Sequence, residues 1–198
     1  APPIIIGHEF AGTVAEVGEG VEAVSVGDRV AVEPFLRCNA CEACLADQYH
    51  LCPSLTVVGA QATDGGFAQR AIVPAYAVHV LPASVPTDVG ALVEPLAVGW
   101  HALRKGHFSA GQSVLVIGAG PIGLTSLLCA QAMEASLVAV SVRRAGARAE
   151  AASDLGADAV LDSSADDVAA RIMELTDGRG VDVVIETSGA PEAMTTAI

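Results

Sequence analysis

The stretch from Ser113 to Leu124, Ser-Val-Leu-Val-Ile-Gly-Ala-Gly-Pro-Ile-Gly-Leu, constrains the fold of this chain more than any other. Val114 to Ile117 read as a short buried strand, and Gly118, Gly120 and Gly123 follow at the spacing G-x-G-x-x-G. Gly118 permits a tight turn out of the strand. Gly120 leaves room for a pyrophosphate to approach the backbone, and Gly123 lets helix pack closely on strand. A helix over Pro121 to Met133, with Pro121 and Ile122 in its first turn, would offer free N–H groups and a positive dipole end to those phosphates. An ordinary glycine-rich turn has the same outline; the order strand, glycines, helix favours a dinucleotide site.

The texture on either side of this turn divides the chain. After about Ser109, strands are expected at Val114 to Ile117, Val138 to Val142, Val160 to Leu161 and Val181 to Ile185. Helices are expected between them at Pro121 to Met133, Arg148 to Leu155 and Asp166 to Thr176, and another begins at Pro191 to Ile198. That alternation predicts an α/β doubly wound parallel sheet, here with four strands where about six complete the domain. Residues 1 to about 86 are instead rich in Val and Gly. Strand composition at Thr13 to Val17, Arg29 to Glu33, Phe67 to Val73 and Ala77 to Leu81 is broken by Gly-Glu-Gly, Val-Gly-Asp and Asp-Gly-Gly, which predicts a barrel-like β domain.

Cys38, Cys41, Cys44 and Cys52 stand at C-x2-C-x2-C-x7-C. Short gaps let the backbone fold back and aim four thiolates at one tetrahedral Zn²⁺. A pair of disulfides is the alternative, disfavoured where the compartment is reducing. Cys129 stands apart, as a small apolar residue of the helix after the glycine turn. Near the start, Gly7-His8-Glu9-Phe10-Ala11-Gly12 could supply a metal ligand with a carboxylate beside it, although a His-Glu pair on a surface is commoner than a ligand.

Composition excludes several classes. At 52% hydrophobic residues the chain can bury a core, yet it has no run of about 18 uncharged apolar residues, and Ala-Pro-Pro-Ile is not a basic signal-peptide start. The expectation is a soluble, cytoplasmic protein with no membrane partner. With a net charge of −13, and Lys105 the one lysine beside nine arginines, no basic stripe exists for nucleic acid.

Taken together, these motifs resemble the zinc-dependent medium-chain dehydrogenases, the family of alcohol, sorbitol and threonine dehydrogenases. Gly7-His8-Glu9, Val26-Gly27-Asp28-Arg29-Val30, the four-cysteine lobe, Gly65-Gly66-Phe67-Ala68 and Gly118 to Gly123 carry the resemblance across the chain. The segment from Ala91 to Ala102 and that from Val73 to His79 look most like the 2,3-butanediol dehydrogenase branch. The resemblance implies a GroES-like catalytic domain over residues 1–95 and a Rossmann domain over 96–198, both incomplete. It implies a catalytic zinc at His8, Glu9 and Glu94, and a structural zinc at the four cysteines. Read alone, Glu94 before a proline could simply end a loop and face water. The implied activity is hydride transfer between a secondary alcohol or diol and NAD(P), the zinc acting as Lewis acid on the alcohol oxygen. Polyol oxidation and threonine 3-dehydrogenation are the rival substrates, and a non-catalytic dinucleotide-binding module is the rival class.

Two departures from the family stand out. The cysteine ligand that family members carry upstream of Gly-His-Glu has no counterpart, nor do the nearby proton-relay residues. The expectation is an internal fragment of a longer enzyme, inactive by itself and homo-oligomeric only at full length. Second, the position about 20 residues after the glycines, where NAD-binding chains place an acidic residue, holds Ser141-Val142-Arg143-Arg144. Arg143 and Arg144, with a hydroxyl contact from Ser141, suit the 2′-phosphate of NADP, so NADP is preferred and NAD is possible; two solvated arginines are the bland alternative. The loop Thr187-Ser188-Gly189 should approach the cofactor, and Tyr76, His79, Trp100 and His101 are read as packing residues, with His50 on the lobe surface.

Overall fold

A computed structural model describes residues 3–61 and 63–197. The chain folds as two compact units, Ala1–Glu94 and Pro95–Ile198.

In the first unit, β1 (Ala11–Thr13), β2 (Arg29–Val32) and, further on, β5 (Val78–Val80) form an antiparallel sheet in the order β1-β2-β5. Between them β3 (Phe35–Leu36) pairs with β4 (Thr56–Val57), with the short helix α1 (Glu42–Leu45) between, and α2 (Thr87–Gly90) follows β5. Val30, Ala31, Val32, Ala77 and Leu81 are buried and supply the core of the three-stranded sheet. Two expected strands differ. The strand read at Thr13 to Val17 lies earlier, because the ladder with β2 ends at Thr13 and only Val14 extends it, donating to the Asp28 carbonyl at 2.9 Å. Phe67 to Val73 is not a strand. Phe67 is 77% exposed and Ile72 fully exposed, so its apolar residues have no core to face, and the Phe67 N–H goes to the Ile6 carbonyl instead of a ladder. Among the described residues the named strands of this unit form these two small sheets, with one isolated parallel bridge between Val58 and Thr63.

The second unit is built on a parallel sheet ordered β8-β7-β6-β9, from β6 (Ser113–Ile117), β7 (Leu137–Val142), β8 (Ala159–Asp162) and β9 (Val183–Glu186). The helices are α3 (Val93–Lys105), whose first two residues belong to the first unit, α4 (Pro121–Ala132), α5 (Ala147–Asp154), α6 (Val168–Leu175) and α7 (Pro191–Ala197). Val114, Val116, Val138 and Val140 pack with Leu103 and Leu127 in one apolar cluster, while Leu115, Ile117 and Ala139 pack with Leu161, Val168 and Ile172 in the other. Strand side chains alternate between faces, so a sheet buried on both must read as continuous apolar runs, as β6 and β7 do. α3 and α4 approach closely at Gly99, where a Cβ would lie 2.9 Å from the Ser126 Cα. Helix ends fall within two residues of those expected. α6 starts at Val168 because the Asp167 side chain caps it, accepting the Ala170 N–H at 3.1 Å. Ile198, read as part of the last helix, lies outside the described residues. Among the described residues no helix is long and apolar enough to cross a membrane.

From β6 the chain winds outward through β7 to β8 and then returns to β9 on the other side of β6. The strand order therefore reverses between β6 and β9, and the crevice beyond their carboxyl ends is where open α/β sheets bind ligands.

Candidate functional site

The cysteine lobe grows out of β3. The Cys38 Sγ accepts N–H groups from Ala40 and Cys41 at 3.5 and 3.3 Å, and Cys41 caps α1 by accepting the Cys44 N–H at 3.5 Å. Cys52, after a 3-10 turn over Tyr49–Leu51, completes the group, and the four Sγ atoms lie within 4.8 Å of one another. Cys38 and Cys44 are 3.8 Å apart, matching the edge of about 3.8 Å of a tetrahedron whose metal–sulfur bonds are about 2.3 Å. Backbone N–H donation lowers Cys38 to about 6, whereas burial and the neighbouring thiols push Cys44 up to about 12. Four thiolates this close need a cation to ionise together, and the donor set fits zinc. Sequence reading missed the base of the lobe. Arg37 lies over the Tyr49 ring at 4.1 Å and the Tyr76 ring at 4.7 Å, and the Tyr76 hydroxyl accepts the Arg37 N–H at 3.2 Å. The only signal was one Arg beside the first cysteine.

His8, Glu9 and Glu94 come together although 84 residues of sequence separate Glu9 from the last of them; one ligand atom from each lies within 4.8 Å of the others. Glu94 is not the end of a loop facing water. It lies in the first turn of α3, half-buried, and burial raises its pKa, with His8 opposing and Glu9 reinforcing the shift. The His8 backbone is held from beneath by glycines. Gly66 donates to the Gly7 carbonyl at 2.8 Å, and a Cβ on Gly59 or Gly65 would fall 2.2 or 2.1 Å from that oxygen. Gly59 carries no sequence signal of this role. An imidazole and two carboxylates form a nitrogen and oxygen donor set that suits zinc.

At the third group, Gly118 turns out of β6 at φ 103° and donates to the Ser141 carbonyl at 2.8 Å. Gly123 is required sterically, since a Cβ there would lie 1.9 Å from the Gly118 carbonyl oxygen. A Cβ on Gly120 would meet nothing within 4 Å, so open space lies before the N-terminus of α4, where Pro121 is exposed and Ile122 half-buried. Thr187 clamps the turn from β9: its hydroxyl donates to the carbonyls of Ile117 at 2.9 Å and Gly118 at 3.2 Å. Ser141 is buried within β7, level with Ile117, and Arg143 and Arg144 are exposed in the bend that follows. A pyrophosphate fits this cradle, which offers N–H groups and no side chain at Gly120.

Residues 1–83 match the alcohol dehydrogenase GroES-like domain, and residues 121–198 match the zinc-binding dehydrogenase domain. The chain is 46% identical over 193 residues to an L-threonine 3-dehydrogenase of Pyrococcus abyssi, which covers 98% of this chain and 55% of that protein. Among solved structures, 2R,3R-butanediol dehydrogenase from Bacillus subtilis superposes with a TM-score of 0.88 at 38% identity, covering 99% of this chain and 55% of that one. A zinc-binding dehydrogenase from Sinorhizobium meliloti, bound to NADP, superposes with a TM-score of 0.91 at 35% identity over 100% of this chain and 58% of its own. The chain spans about half the length of the curated relatives it matches. Two domain patterns in the same order, over a sequence and backbone likeness that runs nearly end to end, place this chain in the family of zinc-dependent medium-chain alcohol dehydrogenases.

Proposed function

We propose that this chain is the zinc- and dinucleotide-binding portion of an oxidoreductase that moves a hydride between a secondary alcohol or diol and NADP. The observation that carries the reading is the meeting of His8, Glu9 and Glu94, three ligand-bearing side chains from distant parts of the sequence within 4.8 Å. In this reading they hold the catalytic zinc, and Cys38, Cys41, Cys44 and Cys52 hold a structural one in a closed thiolate shell. Residues 1–95 act as the catalytic domain and 96–198 as the cofactor domain. The bound groups supply Lewis-acid polarisation of the alcohol oxygen and a hydride acceptor.

The chain's own residues bind and orient. Gly118, Gly120, Pro121, Ile122 and Gly123 leave the N-terminus of α4 bare for the pyrophosphate, and Ser141, Arg143 and Arg144 serve the adenosine end. Arginine grips a 2′-phosphate through paired charged hydrogen bonds. Glu94 shares its site with a second carboxylate in partly desolvated surroundings, so it gains most from a cation there. A 2,3-butanediol-like substrate is favoured by the Ala91 to Ala102 segment, with polyols and threonine as rivals. Thiols kept for metal fit a cytoplasmic compartment, and we take the full-length protein to be a homo-oligomer.

The test is made on the full-length enzyme: initial rates with 2,3-butanediol, sorbitol and L-threonine, each with NADP and NAD, with and without a chelator. Chelator-sensitive NADPH formation from butanediol supports the reading. NADH formation alone would discard NADP, another preferred substrate would discard the diol, and no turnover with any pair would leave a non-catalytic binding module.

A further inference from the structure

The bend that carries Arg143 and Arg144 has no regular structure of its own, yet it is tied down from the neighbouring strand. Asp162 ends β8 directly beside Val142, the last residue of β7. Its Oδ2 accepts the Ala145 N–H at 2.8 Å, and its Oδ1 accepts both the Ser164 N–H at 2.9 Å and the Ser164 hydroxyl at 2.6 Å. The backbone around it is fixed in turn: the Asp162 N–H donates to the Asp166 carboxylate at 2.8 Å, and the Ser163 N–H to the Val142 carbonyl at 2.8 Å. One carboxylate thus holds two successive loops at the carboxyl edge of the sheet, one oxygen to each.

We propose that Asp162 is a positioning residue for cofactor selectivity, holding the Arg143–Arg144 bend through the Ala145 N–H so that the guanidinium groups are presented to a 2′-phosphate. The inference rests on the NADP reading above. Two long arginine side chains on an untethered bend would lose backbone as well as rotamer freedom on gripping a phosphate, and a bend already fixed loses less. Gly146, at φ 143°, follows directly and gives no stiffness, so the restraint must come from outside the bend. The hydrogen bonds from Ser164 and Ala145, with the charge of Arg144 nearby, hold the Asp162 carboxyl below the usual carboxylate range. It is therefore ionised at neutral pH, and its bonds are of the stronger, charge-assisted kind.

The experiment titrates the full-length protein by calorimetry with adenosine 2′,5′-bisphosphate and with 5′-AMP, ligands that differ only in the 2′-phosphate. Asp162→Ala should weaken the bisphosphate by about tenfold, the worth of one hydrogen bond to a charged group, and leave 5′-AMP within about twofold. Asp162→Asn, which keeps one acceptor and is the gentler change should the alanine variant fail to fold, should lose part of that selectivity. Equal weakening of both ligands would mark Asp162 as a fold-stabilising residue only, and no change in either would remove it from the site; both outcomes overturn the proposal. The paired change Arg143→Glu with Arg144→Glu separates the two levels. If it leaves the preference for the bisphosphate intact, or if the native protein shows none, the NADP reading fails and this proposal with it. If it abolishes the preference while the Asp162 variants keep theirs, only the role of Asp162 is lost.

Discussion

Single atoms decide the cofactor turn. At Gly123 any side chain would put a Cβ 1.9 Å from the Gly118 carbonyl, and backbone cannot yield as a flexible side chain would. Gly123→Ala should therefore destabilise the protein by about 3 kcal/mol, the upper range for overpacking, and abolish dinucleotide binding; urea unfolding and the fluorescence of a bound reduced dinucleotide read the two effects. Thr187→Val keeps the shape of the side chain and removes only its hydroxyl, which serves the Ile117 and Gly118 carbonyls. The expected loss is about 1 kcal/mol in unfolding free energy, with weaker dinucleotide binding because the turn is no longer clamped. The glycines were legible from their spacing. Thr187 was placed only as part of a loop near the cofactor, because nothing in a sequence says which carbonyl a hydroxyl will meet 69 residues away.

At the level of elements, the cysteine lobe has little apolar burial of its own: α1 is one turn long and has no buried residue. With zinc bound as proposed, its order comes from that metal and from the Arg37 stack on Tyr49 and Tyr76. Removing zinc with a chelator should raise amide exchange across residues 38–52 and leave the β6–β9 sheet protected, since that sheet is held by side-chain packing on both faces. Cys52→Ser should lower bound zinc by one equivalent, read by metal analysis of the purified protein. Equal loss of protection in the sheet would show that the lobe does not depend on metal separately. The parallel strands were legible within two residues because a sheet buried on both sides writes itself as apolar runs. The β strands of the first unit were less so. Phe67 to Val73 has strand composition without a partner to pair with, and β propensity depends on what lies alongside.

Over the molecule as a whole, 23 acidic residues against 10 basic ones give the charge of −13, and several of the carboxylates are structural. Asp162 is held down by Ser164 and Ala145, Asp182 by the N–H and hydroxyl of Ser113, and Glu186 by the Ser188 hydroxyl and the N–H groups after it. Each has a folded pKa below its ordinary value, so each contributes stability that is complete above that value and disappears as pH falls through the depressed one. The thermal midpoint should be flat from about pH 7 to 5 and fall steeply below about pH 4, and the combination Asp162→Asn, Asp182→Asn and Glu186→Gln should flatten that fall. The sequence alone determined what is local or periodic: the strand, glycine and helix order, the cysteine spacing, the apolar runs of the parallel sheet, and the acidic net charge. These follow from chain geometry over a few residues, which a linear pattern records. Only the tertiary structure decided which distant groups meet. It pressed Gly59 and Gly65 under the Gly7 carbonyl, set Tyr76 on Arg37, and gave the carboxylate of Asp162 to two loops. Those meetings depend on how the whole chain packs, and packing is fixed by close contact in three dimensions rather than by spacing along one.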